Sequence, residues 1–336
     1  MALLQATQAA VQYKEKYSHR ATQPSPAHAV PDVCFYFVRH GERRDHVDPS
    51  WADSTPRPYD PPLSDEGIEQ AYVTGRFLHD LEREGAHREK AASPLYWVFT
   101  SPFLRCVQTA GHIIRGLKSC TTAGASPAGP GTSHIDASSP PRLHLEPGLG
   151  EWMSDQYFTA PIDEDLVATR HQELAQGAGT HPISARYGVS WDYQPLITEL
   201  AAYPESFPDL ATRIEQTLSG LVRQVMHRAQ QVACSSAPQR VVVVLVTHGA
   251  CINKLLWATT RQFRIDFPDY CCLTRACLRP APFQPSTGTI PALERLPYQA
   301  FESKPRVLAL TDTSNLDLPP LEWHVDAQVY AGHLKL

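Results

Sequence analysis

The segment Arg39-His40-Gly41-Glu42-Arg43 sets an imidazole between two guanidinium groups, beside a glycine that allows close backbone approach to a bound group. Guanidinium forks grip phosphate oxygens in bidentate fashion and stay charged. A histidine between them is disfavoured as a cation and keeps the neutral, nucleophilic form. The chemistry that suits these types at this spacing is attack of His40 on phosphorus. Among 15 histidines, His40 and His248 stand apart because each closes an apolar run, at Arg39-His40-Gly41 and at Thr247-His248-Gly249. His28, His46, His79, His112, His134, His144, His171 and His181 have no such setting and are expected to be structural or surface residues.

The elements that must position these residues follow from apolar patterning. VCFYFV (33–38) and VVVVLV (241–246) have no polar alternation, as expected of strands buried on both faces, and LYWVFTS (95–101) reads the same way. Ser64 can cap a helix over about 65–82, and Ser101-Pro102 can start another through about 117. Leu210, Ile214, Leu218, Leu221, Val222 and Val225 recur at helical spacing between 208 and 231, and CINKLLWAT continues as helix after His248. RLHLEP (142–147) reads as a short strand. Strands alternating with helices imply an α/β fold with an open, mostly parallel central sheet flanked by helices, whose ligands bind beyond the strands' carboxyl ends. Both histidines then stand on one rim.

The remaining segments divide as follows: a tail at 1–31, in which 5–17 could be a short helix; a single catalytic domain at 32–336; a flexible Gly/Pro/Ser/Thr insertion at 120–141; and, lacking clear periodicity, a lid or substrate wall at 153–207. The net charge of -5 argues against a nucleic-acid surface or an anionic-membrane surface. With no run of 18 apolar residues and no secretory leader at the N-terminus, a cytoplasmic protein is expected. The scattered positions of the eight cysteines favour reduced thiols over disulfides, and Cys271, Cys272 and Cys277 lack the partner ligands of a zinc site. No metal and no cofactor are expected.

Arg39-His40-Gly41 with the later His248 resembles the histidine phosphatase, or phosphoglycerate mutase-like, superfamily. The segments Arg39 to Arg43, Ser101 to Ala110 and Glu146 to Trp152 resemble, in order, the catalytic domain of the suppressor of T-cell receptor signalling (Sts-type) phosphatases. The likeness spans roughly 33–320, with Leu308 to Asp312 resembling the group's last strand. It implies that His40 is the phosphorylated nucleophile, that Arg39, Arg43, Arg105 and His248 hold the phosphate, and that Glu151 is the proton donor, giving His40, Glu151 and His248 as catalytic. Beside Trp152, Glu151 is expected to have a raised pKa, Arg44 and Lys254 are expected to be solvated, and Trp51, Trp152 and Tyr157 are expected to pack more than to line a substrate mouth.

The reading is a metal-independent phosphomonoesterase acting through a phosphohistidine on aryl phosphates or phosphotyrosine. Its partners would be a phosphorylated small molecule or a phosphotyrosine protein, and a homodimer is left open. Rivals are a phosphoglycerate mutase-type phosphotransferase and a non-enzymatic scaffold that keeps the fold. The acid phosphatase and phytase branch fits less well, because Arg44 and Gly249 stand where that branch favours Pro and Asp. The resembling group carries ubiquitin-associated and Src-homology modules ahead of its catalytic domain, and the 31-residue tail is expected to be too short for them.

Overall fold

A computed structural model of the chain describes residues 30–89, 94–121, 141–162, 165–176, 188–233, 240–261, 268–280, 298–300, 306–308 and 321–330. The expected helix at 5–17 lies outside them, as do nearly all of the tail and of the 120–141 stretch. Strands β1 (Val33–Arg39), β2 (Leu95–Thr100), β3 (Leu143–Leu145) and β4 (Val241–Thr247) pair in parallel in the order β3-β2-β4-β1. Beyond β1 the sheet continues antiparallel through β5 (Cys272–Pro280) and β8 (Leu321–Tyr330), with β6 (Tyr298–Ala300) and β7 (Arg306–Leu308) both pairing with β8. The parallel half carries the expected architecture. Of the expected last strand only Leu308, in β7, is described, and β8 is a strand that the sequence pattern did not announce.

The absence of polar alternation in β1 and β4 has a direct cause. Val33, Phe35, Phe37, Val241, Val243 and Leu245 enter one apolar cluster, and Cys34, Tyr36, Val38, Val242, Val244 and Val246 enter another on the opposite face. Helices α1 (Asp65–Glu89) and α2 (Leu104–Thr121) cover the second cluster with Leu78, Leu81, Val107, Ile113 and Ile114. Helices α4 (Phe207–Ala233) and α5 (Gly249–Thr260) cover the first, α4 through all six residues named from its spacing. The helices after neighbouring β1 and β4 therefore go to opposite faces, which opens a crevice at those strands' carboxyl ends. Helix α1 is capped as expected, Ser64 Oγ accepting from Gly67 N at 3.0 Å.

Two expectations need correcting. Cys34 and Cys277 form a disulfide, with Cα atoms 4.1 Å apart, because β1 and β5 place them directly opposite one another across a separation of 243 residues that no local pattern reveals. The span 153–207 is not wholly irregular: it contains helix α3 (Leu166–Gln176), which buries Leu166, Val167, Arg170 and Leu174. Arg170, fully buried, is paired with Asp60 and Glu173. That ionic pairing on a short helix obscures its apolar periodicity. Among the described residues no helix is long and apolar enough to cross a membrane.

Candidate active site

Parallel register brings the two histidines together. Arg39 pairs with Thr247, so His40 and His248 emerge side by side one residue beyond β1 and β4, and His40 N donates to Thr247 O at 3.0 Å. Their ring centroids are 5.5 Å apart. The next strands bring the remaining groups: β2 leads into α2, whose first turn holds Arg105, and β3 leads through a short 3-10 turn, Pro147–Leu149, to Glu151. Gly41 is needed here because a Cβ would sit 2.6 Å from Gly67 O. Gly41 N donates to Thr109 Oγ1 at 3.0 Å, and that hydroxyl donates to Arg105 O at 2.7 Å, tying the His40 loop to the helix of Arg105.

His40 is buried, and its Nδ1 lies 2.8 Å from Gly41 O. A carbonyl can only accept, so Nδ1 carries the proton and Nε2 keeps its lone pair. Burial, then Arg105, Arg39 and His248, hold the His40 pKa well below that of an ordinary imidazole. Arg105 is buried, with Nη2 3.3 Å from Glu151 Oε2 and 3.2 Å from His248 Nδ1, and its guanidinium carbon lies 4.6 Å from the Phe103 ring centroid. The Nε donors of Arg39 and Arg105 are buried without a hydrogen-bond partner. Two permanently charged guanidinium groups that line one cleft with a lone-pair nitrogen fit a tetrahedral anion. The donor atoms of His40, Glu151 and His248 lie within 4.8 Å of one another, a spacing open to a cation, but the adjacent guanidinium groups favour an anion.

His248, fully buried, has its pKa lowered to about 4: burial and Arg105 outweigh the opposing pull of Glu151. Its Nε2 lies 2.8 Å from Ser101 Oγ and its Nδ1 3.1 Å from Glu151 Oε2, and because the hydroxyl can donate or accept, either neutral tautomer is satisfied. Glu151 departs from its expected raised pKa. Burial pushes it up, but His248, Arg105 and the Trp152 N–H at 3.0 Å together hold it well below the carboxylate range.

Arg39, His40, Arg43, Arg105 and Glu151 line a cleft of about 1400 Å³, which begins where α5 starts at Gly249. Arg43 is held off the centre by a two-pronged pair with Asp45, Nε to Oδ1 at 3.0 Å and Nη2 to Oδ2 at 2.5 Å. Trp152, Tyr157, Phe158, Ile162 and Phe207 form an apolar wall, whereas Trp51 does not line the cleft. Arg44 is exposed, but Lys254 is not solvated: it is buried with Nζ 3.0 Å from the Phe207 ring centroid. His46 lines the cleft instead of standing as an unrelated surface residue, and nothing in its local sequence marks it.

Arg213 was also missed. It donates to Gly148 O at 2.9 Å, Gly150 O at 3.0 Å and Glu151 O at 3.2 Å, and pairs with buried Glu205. A charged residue three after Leu210, on the apolar side of α4, was the available signal.

Residues 35–124 match the model of the histidine phosphatase superfamily (branch 1). The chain is 25% identical over 246 residues to the mouse ubiquitin-associated and SH3 domain-containing protein A, covering 65% of this chain and 31% of that protein. It is 24% identical over 237 residues to the Drosophila melanogaster ecdysteroid-phosphate phosphatase, covering 60% of this chain and 26% of that one. The chain therefore spans about a third or less of these relatives' lengths. The crystal structure of a Bombix mori ecdysone phosphate phosphatase with tungstate is similar at 20% identity and a TM-score of 0.48, over 76% of this chain and 96% of that one. Over residues 35–124 this chain is thus similar to the histidine phosphatase superfamily.

Proposed function

We propose that the chain is a phosphomonoesterase that works through a phosphohistidine at His40 and acts on aryl phosphates or phosphotyrosine. The observation that carries this reading is the orientation of His40: with Nδ1 held by Gly41 O, Nε2 keeps its lone pair in a residue that lines one cleft with Arg39 and Arg105. Nε2 attacks phosphorus, the ester P–O bond breaks, and the leaving oxygen takes a proton from Glu151. Water then attacks the phosphohistidine, giving a proton back to Glu151 and releasing phosphate and free His40. Arg39, Arg105 and His248 steady the charge spread over the equatorial oxygens, and Arg43 joins them by exchanging Asp45 for phosphate.

Because Glu151 is ionised in the free site, its proton arrives on the substrate monoanion, and the incoming negative charge draws Arg105 away and raises the Glu151 pKa. The apolar wall of Trp152, Phe158, Ile162 and Phe207 suits an aromatic ester group. A cleft this wide admits water to the intermediate, which favours hydrolysis over phosphate transfer within one molecule. The test is His40→Ala with p-nitrophenyl phosphate: turnover should vanish while circular dichroism is unchanged, and acid-stable trapping is not expected because a phosphohistidine is labile to acid. Wild-type turnover in the variant would defeat the mechanism.

A further inference from the structure

We propose that Tyr270, steadied by His46, is a positioning residue that fixes the guanidinium of Arg39 beside the nucleophile; the inference rests on the phosphohistidine reading of the site. A long arginine side chain acts as a fixed charge only when its rotamers are restricted from outside. Two contacts restrict Arg39, and a third steadies the ring that makes one of them. Nη1 donates to Pro268 O at 2.6 Å, the guanidinium carbon sits 4.4 Å from the Tyr270 ring centroid, and the Tyr270 hydroxyl bonds His46 Nδ1 at 2.5 Å. The same ring lies 5.9 Å from that of His40.

The segment that brings Tyr270 is itself strapped across the end of β1. Cys271 N donates to Arg39 O at 3.2 Å and lies 3.4 Å from His40 O. Cys271 adopts φ 53, the left-handed region that side chains other than glycine seldom occupy, so the surroundings impose this conformation. Tyr270 belongs to none of the three apolar clusters. Its described ring contacts are with His40, His46 and Arg39, all lining the cleft, so its packing serves the site more than the core. His46 lies in the helical turn Arg44–Val47 that directly follows the Arg39-to-Arg43 motif, so the motif and its clamp share one loop.

The experiment measures kcat for p-nitrophenyl phosphate and inhibition by vanadate in the wild type, Tyr270→Phe, Tyr270→Leu, and Tyr270→Leu combined with Arg39→Lys. Loss of the ring should lower kcat about tenfold and weaken vanadate by a similar factor, the scale of one desolvated cation–π contact. Phenylalanine keeps the ring and should recover most of that loss. Adding Tyr270→Leu to Arg39→Lys should change little, since the group being positioned is already altered. Wild-type kcat and vanadate affinity in Tyr270→Leu, or a full additive loss on top of Arg39→Lys, would overturn the role. If Tyr270→Leu melts early, His46→Leu is used in its place: a parallel drop of a few fold in kcat and vanadate affinity supports the clamp, and no change in either overturns it. A wild type that neither turns over the ester nor binds vanadate would defeat the phosphohistidine reading and the clamp with it, whereas an active wild type with an unaffected Tyr270→Leu defeats the clamp alone.

Discussion

Replacing Glu151 by glutamine should penalise substrates according to how badly their leaving group needs a proton. The carboxylate accepts at both oxygens: Oε1 from Trp152 N at 3.0 Å, and Oε2 beside Arg105 Nη2 at 3.3 Å and His248 Nδ1 at 3.1 Å. An amide keeps one acceptor and turns an NH2 toward either the Trp152 amide or the guanidinium, a donor–donor contact costing about 1–3 kcal/mol. That cost lowers stability for every substrate alike. The chemical loss is selective. p-Nitrophenolate departs as a stable anion, so its turnover should fall by no more than about tenfold. An alkyl phosphate requires the missing proton, and losing a general acid costs about 10²–10⁴ in rate, or about 3–5 kcal/mol. The assay compares kcat for p-nitrophenyl phosphate and a simple alkyl phosphate in wild type and variant, with thermal melts alongside. An equal fractional loss on both substrates would refute proton donation by Glu151 and leave it a purely structural carboxylate.

Arg213→Met removes both contacts to Glu205 and the donors to three loop carbonyls, leaving a buried unpaired carboxylate; stability should drop by about 3–5 kcal/mol by denaturant titration, and Glu205→Leu added to it should restore much of the loss. The pH profile of kcat/KM should peak on the acid side of neutrality and fall above about pH 6–7, where the substrate monoanion loses the proton that ionised Glu151 lacks; burial together with Arg105 and Arg39 keeps His40 a neutral nucleophile over that range, and a profile still rising at pH 8 would contradict this order of protonation. Excess EDTA should leave turnover unchanged, because the cluster of His40, Glu151 and His248 is bordered by guanidinium groups; loss of activity restored by a divalent metal would show that the cluster holds a cation.

The proposed nucleophile was legible because its signal is local. Six apolar residues ending at Arg39-His40 fit an interior strand, and the same pattern ending at His248 places a second imidazole at an equivalent strand end. Helical periodicity gave α4 its buried face residue by residue, since a helix lying on a sheet repeats the same geometric demand every turn. Segment resemblance, and not periodicity, pointed to Arg105 and Glu151, and the cleft receives both.

What the sequence by itself determined, then, is the four parallel strands, the helices α1, α2, α4 and α5 and the groups at the strand ends, because propensity and burial pattern act over a few neighbouring residues. Tertiary structure decided everything that depends on which distant segments meet. Strand order paired Cys34 with Cys277 and laid the segment of Tyr270 across Arg39. Packing buried Lys254 against Phe207 and drew Arg213 beneath the Glu151 loop. The charge state of Glu151 follows the same rule: burial beside Trp152 argues for a proton, but His248 and Arg105, distant in the chain and 3.1 Å and 3.3 Å away in space, remove it, and a Coulomb interaction depends on spatial distance alone.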